Sequence, residues 1–469
     1  MEVLQRTANR GSIATGAAYE IANSLKLERN NSENLYRQII NGNRKTWTTS
    51  LWIKRTNTSA SNYQMIITHG IYGYGTFLRI MTDDTLQTGI EYSGGQVRQT
   101  TNQVLRDTSA WMHLVWRVDT TQANGDDRSR LYINGEQVTS FSQNETIAQN
   151  TDTFCNYDHS GYDDEQFGYK EASLFTSMYY ADVYHVDGQS LAPTEFGEVD
   201  SDSGIWKPIE ADISSFGNNG YYLNFNNSSN LGEDTAGNGS FTLSNITSAD
   251  QATDTPTNNF CTLNPLMANA GPANYLPITE GGTKAVNTAA AYKIANSTFG
   301  VTSGKWYWEV KATDVNGVTA IGVTMPNYWD ADYTLQGCIY YAQGPQRYNN
   351  ASASSFGSGY TDGDIISFAL DMDATPPTME VYKNNSSEGN LMAGLTINGT
   401  GAAFLPPKED GYFPKVVGYS ANTFECNFGG YTSFSISSAA TDENGYGTFE
   451  YAPPSGYYAL CTKNLAEYG

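Results

Sequence analysis

Tyrosine and tryptophan residues in turn-like segments are the side chains of this sequence best suited to recognition chemistry. The segment 71–75 (Ile-Tyr-Gly-Tyr-Gly) contains too much glycine to form a good core strand. Exposed aromatic rings stack on sugars or anchor protein contacts at little entropic cost, because they have few rotatable bonds. Ordinary loop packing is the alternative interpretation, and of Tyr340 and Tyr341 one ring is expected to point inward. The predicted ligand-binding residues are Tyr72, Tyr74, Tyr162, Tyr328, Trp329, Tyr341 and Tyr348.

Common catalytic motifs are absent from the sequence. It contains no GxSxG nucleophile elbow, no P-loop, no HExxH zinc motif and no GxGxxG dinucleotide motif. The four histidines, His69, His113, His159 and His185, are far apart in the sequence and indicate no triad. His113 lies within a strand pattern, which favours a structural role. The sequence therefore predicts a protein that is not an enzyme.

The composition restricts the classes of partner. The chain has 469 residues, with 26 Lys and Arg against 49 Asp and Glu, and its net charge is -23. Such a chain lacks the basic patch that binds nucleic acid. It has no run of about 18 apolar residues, so no membrane insertion is expected. Its first residues lack the apolar core of a signal peptide, and its five widely spaced cysteines are expected to be reduced, buried thiols.

Apolar and polar residues alternate along many short segments, which is the pattern of β-strands with one buried face. Trp47, Leu51 and Ile53, for example, share one face of their segment. Asn134-Gly135 predicts a tight hairpin turn, because both residue types tolerate positive φ. Helical periodicity is nearly absent. The sequence predicts an all-β fold with two β-sandwich (jelly-roll) domains joined by an extended linker rich in Pro, Asn and Thr.

Two sets of strand motifs resemble known modules. Residues 47–54 (Trp-Thr-Thr-Ser-Leu-Trp-Ile-Lys), 111–116 and 130–136 resemble successive strands of the concanavalin A-like, laminin-G-type jelly roll. Residues 304–310 (Gly-Lys-Trp-Tyr-Trp-Glu-Val) and 363–371, together with the shorter segments around Ile321 and Val416, resemble a SPRY domain.

The segments that join these modules are more specific. Residues 180–193 (Tyr-Ala-Asp-Val-Tyr-His-Val-Asp-Gly-Gln-Ser-Leu-Ala-Pro), 204–208, 254–260 and 453–461 resemble virion proteins of tailed bacteriophages, especially marine ones. The resemblance covers nearly everything from Tyr19 to Leu465. It implies a two-module protein on the surface of a phage fibre, tail or capsid.

The resemblance and the composition together give the expected domain organisation. A polar segment with spaced prolines separates the two strand-rich regions, which is typical of a linker. The expected parts are an N-terminal arm at 1–16 that anchors the chain in the virion, a concanavalin A-like/laminin-G-like jelly roll at 17–227, an extended linker at 228–284 and a SPRY-like β-sandwich at 285–469.

The jelly-roll resemblance also implies two kinds of acidic site. Laminin-G-type sandwiches often bind Ca²⁺ at their rim, and Ca²⁺ requires six to eight oxygen ligands, so adjacent acids on loops are candidates. These candidates are Asp83, Asp84, Asp126, Asp127, Asp163 and Asp164. Solvated loop acids are the alternative, and no other cofactor is expected. Glycosidases of this fold carry a Glu-x-Asp-x-Glu pattern, and Glu198-Val199-Asp200-Ser201-Asp202 departs from it because its last acid is Asp.

The function that the resemblance implies is a non-enzymatic virion structural protein: a fibre, a tail adhesin or a capsid decoration protein. Its β-sandwich domains would bind host-surface glycan or protein. Expected partners are other virion proteins, a host cell-surface glycan or receptor, and two further copies in a homotrimer. The protein would be made in the host cytoplasm and located in the virion. The alternative hypotheses are a glycan-degrading depolymerase of concanavalin A-like fold and a secreted adhesion module.

Overall fold

The structure is a computed structural model. It describes residues 19–58, 62–70, 75–158, 164–169, 174–266, 275–325, 337–349, 352–397, 404–405 and 407–469. The chain divides into two units, Met1–Thr257 and Asn258–Gly469. Antiparallel strands dominate both units, which confirms the predicted all-β fold with β-sandwich domains. No helix within the described ranges is long and apolar enough to cross a membrane.

The first unit contains strands and short 3₁₀ helices. Its strands are β1 (Ser24–Leu27), β2 (Asn34–Gln38), β3 (Thr46–Arg55), β4 (Gln64–His69), β5 (Thr76–Ile80), β6 (Thr85–Tyr92), β7 (Gly95–Val104), β8 (Met112–Asp119), β9 (Ser129–Ile133), β10 (Glu136–Gln137), β11 (Phe141–Asn144), β12 (Asp164–Phe167), β13 (Met178–Asp187), β14 (Gly197–Val199), β15 (Trp206–Pro208), β16 (Tyr221–Leu223), β17 (Thr242–Ser244) and β18 (Gln251–Ala252). Its 3₁₀ helices are Arg29–Asn31, Gly125–Asp127, Pro193–Glu195 and Ser248–Asp250.

Two large sheets enclose the core of the first unit. Sheet 1 has the order β10-β9-β8-β3-β13-β1-β18, with β16 beside β13, and sheet 2 has the order β11-β7-β6-β5-β4-β12-β2-β17. Alternate residues of each sheet, such as Trp47 and Trp116 of sheet 1 and Leu78 of sheet 2, form one apolar cluster. The rings of Trp47 and Trp116 meet edge to face at 4.7 Å. The period of two in the sequence follows from this packing, because one face of each sheet is buried.

The hairpin predicted at Asn134-Gly135 is confirmed. Ile133 of β9 is paired with Glu136 of β10, so only these two residues form the loop. Asn134 and Gly135 have φ values of 49° and 80°. A side chain at Gly135 could not be accommodated, because a Cβ there would lie 2.4 Å from the ring of Trp206.

The segment 228–284, expected to be an extended linker, contributes strands to both units. In the first unit β17 pairs with β2 of sheet 2, and β18 pairs with β1 of sheet 1. Asp254 forms a buried ion pair with Lys54 of β3, with Nζ and Oδ2 2.7 Å apart. The division between the units falls after Thr257, inside the expected linker. Short polar strands of this kind lack the alternating apolar pattern on which the sequence prediction depended.

In its described residues, the second unit contains further strands, one 3₁₀ helix and the helix α1 (Thr462–Tyr468). Its strands are β19 (Ile278–Thr279), β20 (Lys284–Asn287), β21 (Lys293–Asn296), β22 (Lys305–Val315), β23 (Val318–Thr324), β24 (Cys338–Tyr341), β25 (Gln346–Asn349), β26 (Ser352–Ser355), β27 (Ile365–Asp371), β28 (Thr378–Lys383), β29 (Ser386–Asn390), β30 (Thr396–Ile397), β31 (Phe404–Leu405), β32 (Phe413–Tyr419), β33 (Asn422–Asn427) and β34 (Tyr458–Ala459). The 3₁₀ helix is Lys408–Asp410.

The second unit also has a core between two sheets. Sheet 3 has the order β19-β20-β33-β22-β27-β28-β29, with β34 parallel to β22, and sheet 4 has the order β21-β32-β23-β24-β25-β26. Trp308 and Phe368 of sheet 3 stack at 5.1 Å and join one apolar cluster with Ile321 of sheet 4. On the other face of sheet 3, the buried carboxylate of Glu309 accepts hydrogen bonds from the backbone N–H groups of Glu450 and Tyr451, at 2.9 and 2.8 Å.

All five cysteines are buried thiols outside any disulfide, as the sequence predicted. Burial raises the pKa of the Cys155 thiol well above its ordinary value, and the thiols of Cys338, Cys426 and Cys461 are shifted in the same direction for the same reason. Thiols in this state are poor nucleophiles, since the reactive thiolate is disfavoured.

Candidate functional site

A polar groove of about 230 Å³ opens in the first unit, where edge strands of the two sheets approach each other. The 3₁₀ helix Gly125–Asp127 and strands β7, β9, β10 and β11 provide its walls. Its side chains offer a carboxylate, a guanidinium, carboxamides and one aromatic ring. Among its lining residues are Gln99, Asp126, Arg130, Phe141 and Asn144.

The amide groups of the groove are held in place by a chain of hydrogen bonds. Ser129 Oγ donates to Gln99 Oε1 at 2.8 Å, and Gln99 Nε2 donates to Asn144 Oδ1 at 2.9 Å. Ser129 in turn accepts from the indole N–H of Trp116, a core residue, at 3.2 Å. Gln99 is buried and Asn144 is exposed. The groove therefore presents a polar edge that is oriented by the core before any ligand arrives.

Asp126 and Asp127, predicted as a possible cation-binding pair, have different surroundings. Asn124 Oδ1 accepts from the backbone N–H of Asp126 and so caps the 3₁₀ helix, at 3.3 Å. The Asp127 carboxylate forms an ion pair with Arg130 of β9. Asp126 lines the groove and is exposed. Asp127 is thus paired with an arginine, whereas Asp126 lines the groove.

The pair Asp83 and Asp84 is also divided between structural roles. Asp83 Oδ1 accepts from the backbone N–H and the hydroxyl of Thr85, at 3.1 and 2.6 Å, and these hydrogen bonds lower its pKa. Asp84 Oδ1 lies 3.0 Å from Arg55, and its Oδ2 lies 2.8 Å from Arg106. Two guanidinium groups beside Asp84 oppose a cation there.

The third acid pair is only partly described. Asp164 lies in β12, where it is paired with Gln38 of β2, and its carbonyl accepts from the backbone N–H of Gly70 at 2.7 Å. Asp163 lies outside the described residues. Each of the three predicted Ca²⁺ sites therefore stays a prediction, and the structure shows no convergence of their described carboxylates on a shared point.

Among the predicted aromatic residues, the structure brings Tyr341 and Tyr348 together. Their rings, on the neighbouring strands β24 and β25, are 5.6 Å apart and nearly perpendicular. Both are half-buried and pack with Tyr275 on the face of sheet 4 that points away from the core. The neighbouring Tyr340 points inward and is fully buried, so the predicted division of Tyr340 and Tyr341 is confirmed. Tyr72, Tyr74, Tyr162, Tyr328 and Trp329 lie outside the described residues.

The acids resembling a glycosidase motif form a tight turn between β14 and β15. Asp200 Oδ1 accepts from the backbone N–H and the hydroxyl of Ser203, both at 2.9 Å, and its Oδ2 lies 3.2 Å from Lys207. These interactions lower the pKa of Asp200 to about 2. Glu198 lies 3.3 Å from the same lysine. A general acid needs a raised pKa, so this pair is arranged for structure rather than for glycoside cleavage.

His113 has the structural role that its strand pattern predicted. Its ring lies between Trp52, stacked at 4.7 Å, and Trp206, whose indole N–H donates to Nδ1 at 2.9 Å. Nε2 hydrogen bonds with Ser50 at 2.8 Å. Burial lowers the pKa of His113 to about 3, so the ring is neutral at physiological pH.

Sequence reasoning missed one cluster of ionisable side chains, because its members are far apart in the chain. His69 ends β4, Glu165 lies in β12 and His185 lies in β13, so both sheets of the first unit contribute. All three are buried, and their candidate ligand atoms lie within 4.8 Å of one another. It is the one group of this kind in the part of the chain that the structure describes. The signal in the sequence that could have indicated this cluster is the occurrence of polar residues within strongly apolar strands.

Comparison with known proteins finds a similarity for part of the first unit. Residues 29–168 match the family described as the concanavalin A-like lectin/glucanases superfamily, and this range includes the groove residues Gln99, Asp126 and Asn144. No curated protein sequence matches the chain.

Several solved structures are similar to parts of the chain at low identity. The SPRY domain of human HERC1 is 21% identical, with 31% of this chain and 89% of that chain covered and a TM-score of 0.26. Domains LG4-5 of the mouse laminin α1 chain are 9% identical over 94% and 97%, with a TM-score of 0.29. A Bacteroides ovatus protein described as carbohydrate-binding is 16% identical over 48% and 58%, with a TM-score of 0.34. The range that is similar to this family, residues 29–168, contains strands β2 to β12 of the first unit.

Proposed function

We propose that this chain is a non-enzymatic binding protein whose first sandwich holds a carbohydrate in the groove between Asp126 and Asn144. The observation that carries the proposal is the combination of an exposed carboxylate, an amide chain fixed by the core and the Phe141 ring within one groove. Sugar hydroxyls both donate and accept hydrogen bonds. A carboxylate can accept from one hydroxyl while a neighbouring carboxamide donates to another, and an aromatic ring contacts the C–H face of the sugar.

The groove favours binding over cleavage. Glycoside hydrolysis needs two carboxyl groups on either side of the scissile bond. Asp126 is the carboxylate that the groove exposes, and the neighbouring Asp127 is paired with Arg130. The family description names lectins and glucanases together, and the chemistry of the groove fits the first of these.

The biological setting that we propose is the surface of a tailed bacteriophage, as a fibre, tail adhesin or capsid decoration protein. This part rests on the resemblance of the joining segments at 180–193 and 453–461 to virion proteins. A host-surface glycan or receptor and other virion proteins are then the partners. A homotrimer would strengthen weak individual sites, because the second and third contacts become intramolecular. Particle imaging with an antibody to the chain tests the setting, and light scattering of the purified protein tests the trimer.

Glycan-array binding followed by titration calorimetry of the best oligosaccharide tests the groove. We expect the substitutions Asp126→Ala and Asn144→Ala each to weaken binding by about tenfold or more, since losing a charged or fixed hydrogen bond costs about 1.5 kcal/mol or more. Asp152→Ala is the matched control, because it removes the same charge from an exposed ion pair with Lys45 outside the groove.

Equal affinities of the native chain and the Asp126→Ala variant for every bound glycan would contradict the groove as the site. New reducing ends after incubation with host polysaccharide would favour the depolymerase alternative. Retained binding by variants of Tyr341 and Tyr348 is expected as well, because these residues belong to the second unit.

A further inference from the structure

His69 occupies an unusual position for a polar side chain. It is fully buried, and neither Nδ1 nor Nε2 has a hydrogen-bond partner. Buried polar groups are almost always hydrogen-bonded, because an unpaired one forfeits its hydration without compensation. Nδ1 lies 3.4 Å from Glu165 Oε1, which is close but not aligned as a hydrogen bond. The ring faces His185 across the sandwich, with their centroids 5.1 Å apart.

The distances in the cluster are close to those of ligands that share one metal ion. Zinc binds imidazole nitrogen and carboxylate oxygen at about 2.0–2.2 Å, so two ligands at a tetrahedral angle lie about 3.4 Å apart. The separation of His69 Nδ1 and Glu165 Oε1 is 3.4 Å. The longest separation among the three ligand atoms is within 4.8 Å, so a small inward movement of side chains would complete the set.

The hydrogen bonds around His185 resemble those that orient a metal-bound imidazole. Nε2 lies 3.0 Å from Asn156 Oδ1, which can only accept, so Nε2 carries the proton. Nδ1 lies 2.9 Å from the Thr49 hydroxyl, which can rotate away and release this nitrogen. Ligating histidines commonly donate their other N–H to an oxygen in this way.

Glu165 is held so that its two oxygens face different groups. Oε2 accepts from Arg37 Nε and Nη2 at 3.3 and 3.2 Å. Oε1, the oxygen nearer to His69, accepts from the Tyr221 hydroxyl at 2.6 Å. Arg37 opposes a cation, and it forms its ion pair with Glu165 through Oε2, which leaves Oε1 on the side of His69. Outer hydrogen bonds to a ligating carboxylate are themselves a regular feature of metal sites.

We propose that His69, Glu165 and His185 bind one Zn²⁺ ion between the two sheets of the first unit. Two imidazoles and one carboxylate match the preference of zinc for nitrogen and oxygen ligands, whereas calcium prefers sites made of oxygen alone. The ion gives His69 the partner that it otherwise lacks and links β4 and β12 of sheet 2 to β13 of sheet 1. Its place inside the core indicates a stabilising role, independent of ligand binding in the groove.

Metal analysis of the full-length chain tests this proposal. The protein is refolded with and without Zn²⁺, freed of loose metal by gel filtration and measured by plasma mass spectrometry. We expect one retained equivalent of zinc and a higher thermal midpoint of the first unit. Refolding with Co²⁺ should give the intense visible bands of a low-symmetry site with few ligands, rather than the weak bands of an ion bound by surface carboxylates.

Substitutions assign the site. His69→Gln and Glu165→Gln are each expected to weaken zinc binding more than about 100-fold, because even outer-shell changes cost about 10- to 100-fold. His113→Gln is the matched control: this histidine is equally buried in the same unit but lies outside the cluster. The proposal is overturned if no zinc is retained, or if His69→Gln retains as much as the control.

If a substituted protein does not fold, a measurement on the native protein still tests the proposal. X-ray absorption at the zinc edge should show two imidazoles and one carboxylate in the first coordination sphere. A sphere of oxygen atoms without the imidazole signature would overturn the proposal. Glycan affinity that is unchanged by removal of zinc would separate this site from the groove.

Discussion

Removal of the Asp254 carboxylate should destabilise the first unit strongly. Asp254 lies in the segment whose composition predicts a linker, yet its side chain is 1% exposed and that of Lys54 is not exposed at all. Oδ2 is 2.7 Å from Lys54 Nζ, and Oδ1 accepts from the Trp111 indole N–H at 2.9 Å. The change Asp254→Ala therefore leaves a buried ammonium and a buried indole N–H without this partner.

The size of the effect follows from these contacts. Removing one member of a buried ion pair costs about 3–5 kcal/mol, because the remaining charge stays desolvated. For a unit of this size, each kcal/mol lowers the thermal midpoint by about 2–4 °C, so the expected decrease is about 6–20 °C. In the double variant Lys54→Met/Asp254→Leu, most of this loss should be regained, since apolar replacements of a buried pair are often nearly neutral.

Urea unfolding followed by tryptophan fluorescence and by calorimetry is the assay. Asp152→Ala is the control, because it removes a carboxylate from an exposed pair, 3.8 Å from Lys45, which is worth about 0–1 kcal/mol. The reasoning is refuted if Asp254→Ala costs less than about 1 kcal/mol, which is the range of an exposed pair. It is also refuted if the double variant is as unstable as the single one.

Two further predictions concern other buried carboxylates. Burial raises the pKa of Asp182 to about 6, so the folded state binds this proton more tightly than the unfolded chain does. The contribution of Asp182 to stability is therefore present below about pH 4, the ordinary pKa of an aspartate, and is lost as the pH rises through 6. Asp182→Asn should therefore lose less stability than the native chain between pH 4 and pH 7 in urea titrations, and identical pH profiles would contradict this. The substitution Glu309→Ala removes the acceptor of the backbone N–H groups of Glu450 and Tyr451. It should lower the free energy of unfolding by about 3 kcal/mol and open residues 430–460 to proteolysis. An unchanged cleavage pattern would show that this segment is held by other contacts.

The sequence carried most of the information about the strands and little about how the sheets meet. Alternation placed Trp47 and Trp308 in cores, and Asn134-Gly135 identified a hairpin, because these signals depend on neighbours in the chain. The approach of His69 to His185 depends on how β4 and β13 face each other across the sandwich, which no local pattern encodes.

The candidate site was anticipated in part. Asp126 was predicted from its loop position, but as a calcium ligand beside Asp127, since sequence adjacency cannot show that Arg130 pairs with one of the two acids. Gln99 and Asn144 carried no distinguishing signal, because amide side chains are common on strand edges. Tyr341 and Tyr348 were predicted separately as turn residues, and the pairing of β24 with β25 unites them.

The late strands β17 and β18 have a consequence for where this protein can be divided. Each adds to the outside of a sheet, β17 beside β2 and β18 beside β1. A fragment that stopped at residue 227 would leave both borders with unsatisfied backbone groups, the usual template for amyloid-like association. A fragment that stopped at residue 257 would keep them covered by strands only two or three residues long. A recombination that transfers this unit to another protein must therefore include residues 228–257.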